Sequence, residues 1–449
     1  MNDKKLSWIN IIGYGLGDVA NNFAFAMGAL FLLSYYTDVA GISAAAAGTL
    51  LLVVRIFDAF MDVLAGRVVD KTTTRWGKFR PFLLLGAIPL MFFGVLVFSV
   101  PAEYTSTEKL VYAYVTYALL GVAYSFVNIP YGSLATVMTQ NSGERARLGS
   151  SRMLLAASTF CFLALVIGPK IRSASVSDLQ EIFTNYTLLF SVIGVVLYFL
   201  CFKSTREVVQ RSVDRPNFKD SLKTVGKNHP LMILCLAALG VLTAFFSMNA
   251  SALFFAKYVL GSGKHFVMIV VVTTLLGTLI AAPLVPILVA KFGKKGAFLF
   301  GSALGSVGFF SLYVVPIDNI NLVFTAFGVA AVGVMTVMTV MWALEADTVE
   351  YGEWSTGIRT EGLTYALFSF TRKCGQAIGG SVPAFLLASV SYIPNAPTQD
   401  LVTQNAIHTA VSLVPGMILL GSFILMCFYP LTDIRFSKLL SEIQQRSAR

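Results

Sequence analysis

The chain has 449 residues, of which 56% are hydrophobic and only 12% charged, with a mean hydropathy of +0.75 and a formal net charge of +10. Soluble domains carry about 25% charged residues, so this composition excludes a water-soluble globule and removes nucleic acid as the reason for the positive charge. It predicts an all-α, polytopic membrane protein.

A membrane span needs roughly 20 apolar residues. Runs of that kind predict twelve transmembrane helices, over 9–37, 44–68, 82–101, 109–138, 151–169, 184–203, 231–260, 265–290, 297–315, 320–345, 361–392 and 405–430. The first is too long for a signal-peptide core and is read as a retained helix. Basic residues gather in alternate connections: Lys4 and Lys5, the Arg67 to Arg80 loop, Arg145 and Arg147, the Lys203 to Lys227 segment, Lys291 to Lys295, and the tail from Arg435. The positive-inside rule makes that side cytoplasmic, with both termini there.

The second span, TLLLVVRIFDAFMDVLAG, carries Arg55, Asp58 and Asp62. At the bilayer centre each such charge costs ~2.5–3.5 kcal/mol, so the three must be met by partners, water or an ion. Spacings of three and four put them on one helix face, where two carboxylates a turn apart resist being ionised and empty together. That outlines a cation site; a packing salt bridge from Arg55 would account for one aspartate only.

After the sixth helix, the polar stretch FKSTREVVQRSVDRPNFKDSLKTVGKNHP divides the chain. The expected organisation is a six-helix bundle over 1–203, a cytoplasmic linker over 204–228, a second six-helix bundle over 229–430 and a cytoplasmic tail over 431–449. RWGKFRP after the second helix is echoed by KFGKKG after the eighth, a sign of internal repetition. The five cysteines stand singly in or beside apolar runs and read as small hydrophobes. His229, His265 and His408 are isolated, no metal-ligand spacing occurs, and no HExxH, GxSxG or nucleotide-binding motif sits in a fitting context. No enzyme activity, cofactor or metal is expected.

The stretches GYGLGDVANNFAFAMGALFLLSYYTDVAG, RIFDAFMD, RWGKFRPF, NIPYGSLATVMTQNSGERARLGSSR, EADTVEYGEW and SFTRKCGQAIGG resemble the glycoside-pentoside-hexuronide:cation symporters, a branch of the major facilitator superfamily, and among them the bacterial glucuronide permeases most. The resemblance runs the length of the chain. It implies two parallel helix bundles with the substrate site at the midplane, in a bacterial inner membrane, and a small glycoside as partner with no obligate protein partner.

Carried over by residue, the resemblance places cation coupling on Asp58, Asp62, Ser125 and Lys373, the last able to lie across a central cavity. It places sugar contacts on Asp18, Tyr124, Asn128 and Arg152. Helix spacing adds Asn22, a turn from Asp18, and Ser369, a turn before Lys373. Interhelical polar glue would equally account for the amide of Asn22. Three residues depart from the melibiose branch of the family. Met61 replaces an asparagine between the cation-site aspartates, and a thioether is a poor ligand for a hard cation, which favours H+ over Na+. Asn128 replaces an aspartate whose fixed charge would repel a uronate. Gly132 replaces a tryptophan and leaves room for a bulky aglycone. Together these imply proton-coupled glucuronide import; the alternatives are a symporter of neutral xylosides or galactosides and, more remotely, a lipid transporter. The acidic cluster Glu345, Asp347, Glu350 and Glu353 is expected to lie opposite the basic loops after the second and eighth helices and, by charge pairing between the bundles, to close the cytoplasmic side.

Overall fold

The computed structural model describes residues 6–72, 74–139, 142–173, 175–208, 226–357 and 361–447. Among them every regular element is helical, apart from one isolated antiparallel bridge between Thr74 and Gly77. In chain order the helices are α1 (Trp8–Ser34), α2 (Ala44–Lys71), α3 (Arg80–Val97), α4 (Ser106–Met138), α5 (Ser142–Ser173), α6 (Val176–Ser204), α7 (His229–Phe254), α8 (Lys264–Val270), α9 (Gly277–Val314), α10 (Ile320–Thr356), α11 (Glu361–Ala388), α12 (Leu401–Val411), α13 (Leu413–Cys427) and α14 (Asp433–Ser447). The linker expected over 204–228 lies mostly outside the described residues.

Ten helical stretches among the described residues are long and apolar enough to cross a membrane. The tally differs from twelve for physical reasons. Lys264–Val314 counts once because its helices run together through Gly293, whose φ of 73° marks a break rather than a continuous helix. The 28-residue α11 carries Arg372 and Lys373 and is not among the ten. Large apolar side chains such as Phe60, Ile88, Val192 and Ile287 stand more than half exposed, as they must where the surrounding solvent is lipid.

The chain folds as two compact units. The first comprises Met1–Ser212, Ala252–Val270 and Ala384–Gln404; the second comprises Val213–Ser251, Val271–Pro383 and Asn405–Arg449. In the first, α1 is sealed at its start by a capping box in which Ser7 and Asn10 satisfy each other's backbone N–H groups. Further along, Phe31, Tyr35, Phe98 and Phe183 stack and meet edge to face, building an aromatic core. In the second, α9 and α10 approach backbone to backbone. A Cβ on Gly333 would lie 2.2 Å from the Gly305 nitrogen, and one on Gly308 would lie 2.2 Å from that of Ala330, so no larger residue fits at either crossing.

The repeated glycine-lysine turns have one construction. Gly77 has φ 107°, and the Glu207 carboxylate beyond α6 accepts backbone N–H bonds from Lys78, Phe79 and Arg80 at 2.8, 2.8 and 3.0 Å. Gly293 has φ 73°, and the Asp433 carboxylate beyond α13 accepts the Lys294 N–H at 3.1 Å. In both turns a Cβ on the glycine would come within 2.5 Å of that carboxylate. Each turn thus combines a left-handed residue, which only glycine adopts freely, with an acidic group accepting the amides that follow.

Replacing Glu207 by Ala should therefore lower the thermal midpoint of the detergent-solubilised protein. The expected cost is about 1–3 kcal/mol, because three partly buried N–H groups lose a charged acceptor. An unchanged midpoint would mean that water serves those amides equally well.

Candidate functional site

In the first unit, α2 and α4 build the acidic centre. Asp58 is 1% exposed and Ser125 fully buried; the Ser125 hydroxyl donates to Asp58 Oδ1 at 2.9 Å, while Arg55 Nη1 lies 3.7 Å from Oδ2. The helical spacing thus delivers the Arg55–Asp58 approach expected of it, and α4 brings Ser125 to the other carboxylate oxygen. Gly121 makes this possible, since a Cβ there would already stand 3.3 Å from that of Asp58. Asp62 follows on α2, half-buried, with half-buried Met61 beside it.

Arg55 is also held by aromatic faces. Its guanidinium carbon lies 5.1 Å from the Phe25 ring centroid and 5.6 Å from that of Tyr117, and Phe25 stacks on Tyr124. Phe25, Arg55, Asp58, Tyr117, Gly121 and Tyr124 line one recess. Desolvated cation–π contacts are worth ~2 kcal/mol or more, so the arginine is anchored even where its ion pair is long.

Two turns before Phe25 on α1, Asp18 forms an ion pair with Arg152 of α5. Arg152 Nη2 and Nε donate to the same oxygen, Asp18 Oδ1, at 3.0 and 3.3 Å. Beneath the guanidinium lies a floor of two tyrosines. Tyr14 and Tyr131 stack at 4.9 Å, Tyr131 donates to the Tyr14 carbonyl at 2.7 Å, and Arg152 sits 4.6 Å above the Tyr131 ring with Nη1 at 3.5 Å from the Tyr14 hydroxyl. A Cβ on Gly132 would point at Arg152 Nη1 from 4.0 Å. The small residue leaves the space beside the arginine open.

The amides divide their work differently from the expectation. Asn22 donates to the carbonyl of Asp18 in its own helix at 2.8 Å, whereas Asn21 donates to Asn128 Oδ1 at 3.1 Å and accepts from Tyr198 at 2.6 Å. Asn21, Tyr14, Tyr131 and Tyr198 therefore join this polar network without having been selected from the sequence. Asn21 lies three residues from Asp18, a spacing that was available as a signal; on α4 only Tyr124 was selected, and no spacing marks Tyr131 or Tyr198.

At the end of α1, in the same unit, stands a second polar cluster that sequence reading missed. Asp38 accepts from Tyr392 at 2.7 Å and from Thr37 at 2.8 Å, has Lys257 at 3.8 Å, and its carbonyl accepts from Asn395 at 2.5 Å. Burial and the adjoining Asp38 carboxylate push the Tyr392 phenol well above its ordinary range, keeping it a donor.

The second unit holds Lys373, buried on α11, and half-buried Ser369 a turn before it. Arg372 stacks 4.3 Å over Trp342. Asp347 takes both contacts from Lys294 Nζ, at 2.6 and 2.7 Å. Lys294 belongs to the basic loop after the eighth predicted helix, which the cluster was expected to face, and directly follows the left-handed turn at Gly293. His408, read as isolated, contacts the Leu312 carbonyl at 3.0 Å. Among the described residues no group of His, Cys, Asp and Glu side chains is arranged to hold a metal ion.

Residues 13–433 match the family described as MFS/sugar transport protein. A glucuronide carrier protein homolog of Escherichia coli strain K12 is 54% identical over 444 residues, covering 99% of this chain and 97% of that protein. A putative glycoside/cation symporter of the same strain, YagG, is 34% identical, covering 99% and 97%. Among solved structures, the nucleoside transporter NupG superposes with a TM-score of 0.64 at 14% identity, covering 94% of this chain and 100% of that one. A POT family transporter gives 0.67 at 10% identity, covering 94% and 96%. Likeness at such low identity extends to the fold alone.

Replacing Ser125 by Ala takes a hydroxyl donor from a carboxylate buried to 1% exposure. A loss of about 1–3 kcal/mol in unfolding free energy is expected, with Ser125→Thr, which keeps the hydroxyl, losing less. Equal losses in both variants, measured by thermal unfolding in detergent, would trace the effect to packing rather than to the hydrogen bond.

Proposed function

The chain belongs to the MFS/sugar transport protein family, a family of membrane transporters rather than enzymes, and on that premise we propose that it imports glucuronides with protons by alternating access. In this reading twelve helices form two six-helix bundles joined by the 204–228 linker, with both termini cytoplasmic. The observation that carries the proposal is the Arg152 guanidinium, held on a tyrosine floor beside the open space at Gly132 and with an uncharged Asn128 in the same unit. A cationic fork next to free volume suits a glycoside whose sugar bears a carboxylate. A glucuronide carrier homolog among the near relatives supports the same substrate class.

Asp58 and Asp62 are assigned the coupling proton, with Ser125 supporting Asp58. Met61 beside them is a poor ligand for sodium, which favours the proton. Asp18, Tyr124 and Asn128 are assigned to the sugar ring and Arg152 to the carboxylate. Asn22 has the weaker standing because its amide serves its own helix. Lys373 and Ser369 complete the proposed set from α11, Lys373 as a second attraction for the uronate and a link between substrate and cation.

Energised vesicles test the proposal directly. An inward proton gradient should drive accumulation of labelled 4-nitrophenyl glucuronide, an imposed sodium gradient should not, and the matching glucoside should compete poorly. Equal competition by the glucoside would favour a carrier of neutral glycosides. Asp58→Asn and Asp62→Asn should each abolish uphill accumulation while sparing some exchange, and unchanged accumulation in both would remove the α2 carboxylates from coupling.

Substrate selection has its own test in Asn128→Asp. A second negative charge about 4 Å from a uronate, at an effective dielectric near 20, opposes it by on the order of 4 kcal/mol before screening. Even a quarter of that weakens binding several-fold. Glucuronide uptake should therefore fall more than uptake of any neutral glycoside; equal loss of both would show that Asn128 reads hydroxyls.

A further inference from the structure

We infer that Asp18 is a proton carrier linked to the substrate's carboxylate: an acidic glycoside displaces Asp18 from Arg152, and Asp18 takes up a proton as it is displaced. This rests on the glucuronide reading above, and the proton is separate from that assigned to Asp58 and Asp62. Three observations carry it.

First, the ion pair is geometrically incomplete. Arg152 directs two donors, Nη2 and Nε, at one oxygen of Asp18, at 3.0 and 3.3 Å. A guanidinium edge matches a carboxylate best when each N–H meets its own oxygen. A ligand carboxylate offering both oxygens makes the better partner. Second, Arg152 does not depend on Asp18 for its place. The stacked pair Tyr14 and Tyr131, tied by the Tyr131 hydroxyl to the Tyr14 carbonyl, lies under the guanidinium and contacts Nη1. The arginine can exchange partners while staying where it is.

Third, within its own unit and among the described residues, Asp18 has no second cation in salt-bridge reach, and the Lys373 assigned above would be engaged by the ligand's carboxylate. Arg152 of α5 is the cation within salt-bridge reach of Asp18 among the described residues. The other titratable groups facing Asp18 are Tyr14 of α1, Tyr124 and Tyr131 of α4, and Tyr198 and Cys201 of α6. All are neutral acids when protonated, and Asn21, Asn22 and Asn128 are uncharged. From α2, Arg55 faces Tyr124 together with Asp58 and Asp62. Asp18 is buried, with its side chain 11% exposed. An ionised carboxylate stripped of its partner there is strongly disfavoured, and protonation removes the charge.

The exchange balances. An aspartate carboxylate paired with the guanidinium, plus a ligand carboxylate and one proton, gives a neutral Asp18 carboxyl and a ligand carboxylate paired with the guanidinium. The site holds the same net charge before and after, so an acid brings its own proton. A neutral glycoside has nothing to exchange and calls for none at this position.

Titration calorimetry of the purified protein near neutral pH, in phosphate and in Tris, reads proton uptake from the difference in buffer heats. 4-nitrophenyl glucuronide should take up close to one proton more than 4-nitrophenyl glucoside, and its Kd should weaken about tenfold per pH unit over the range where that uptake holds. Asp18→Asn should abolish the extra uptake and flatten the pH dependence, while Asp18→Glu should keep both. The glucuronide measurements on the unaltered protein test the inference even where the asparagine variant does not fold. Glucuronide binding without proton uptake overturns it, as does extra uptake that survives Asp18→Asn and disappears in Asp62→Asn. Failure of any glucuronide to bind would instead sink the proposed function and this inference with it.

Discussion

A charge inside a bilayer must be answered, and that requirement organises the interior of both units. Arg152 is answered by Asp18, Arg55 by Asp58 and two aromatic faces, Lys257 by Asp38, Lys294 by Asp347, and Arg372 by the Trp342 ring. For the pairs within the spans an unanswered ion would cost several kcal/mol, so these contacts are more than packing. Yet the answers differ in quality. The Lys294 pair is short, with both oxygens engaged; the Arg55 pair is long; the Arg152 pair uses one oxygen twice. The Arg55 and Arg152 pairs belong to the proposed transport site, while the Lys257–Asp38 pair at the end of α1 is also long, at 3.8 Å. A transporter needs partners that can be exchanged, and exchange is easiest where the resident partner fits least well.

What could be read from the sequence follows from how local each feature is. Arg55 and Asp58 meet because helical spacing puts them on one face, which requires only their distance along the chain. Ser125 comes to Asp58 from another helix, and only the family resemblance pointed to it. Asn22 and Asn21 show the limit of spacing arguments: a turn of separation from Asp18 selected Asn22, but its amide turned back onto the helix while its neighbour crossed to Asn128. The tyrosine floor was invisible because Tyr14 and Tyr131 are far apart in sequence and tyrosine is common in membrane helices. The acidic cluster on α10 was legible as a charge-pairing site facing the basic loop after the eighth predicted helix, and Asp347 meets Lys294 of that loop beside the left-handed turn at Gly293.

The two glycine-lysine turns show why a faint sequence echo can hide a close structural one. RWGKFRP and KFGKKG share little beyond a glycine and a lysine, and the carboxylates that complete the turns lie far away, at Glu207 and Asp433. Backbone amides form the contact, so most side chains around it are free to vary. The constraint falls on one φ angle and one acidic group, which leaves a small trace in the amino-acid order. It also ties the end of α6 to the start of α3, and the segment after α13 to the turn before the second part of α9. Helices distant in sequence are thereby held at their ends, where water would otherwise compete for the same amides.

The ends of α1 and α7 carry a matching irregularity. Each passes into a π-helical turn, Tyr35–Val39 in one and Phe255–Val259 in the other, and each then closes on a left-handed glycine, Gly41 and Gly261. Even the bonds correspond: Ala40 to Tyr35 and Ile42 to Tyr36 on one side, Leu260 to Phe255 and Ser262 to Ala256 on the other. A π turn is an α-helix with a residue inserted, and such bulges recur at functional positions. Two separate insertions would have had to strike the same place in two helices. A segment repeated within the chain carries its bulge in both copies, in keeping with the paired glycine-lysine turns. In this register Thr37 matches Lys257 and Asp38 matches Tyr258, and the carboxylate of one turn meets the ammonium of the other at 3.8 Å. The repeated bend brings one residue of each sign to the same place.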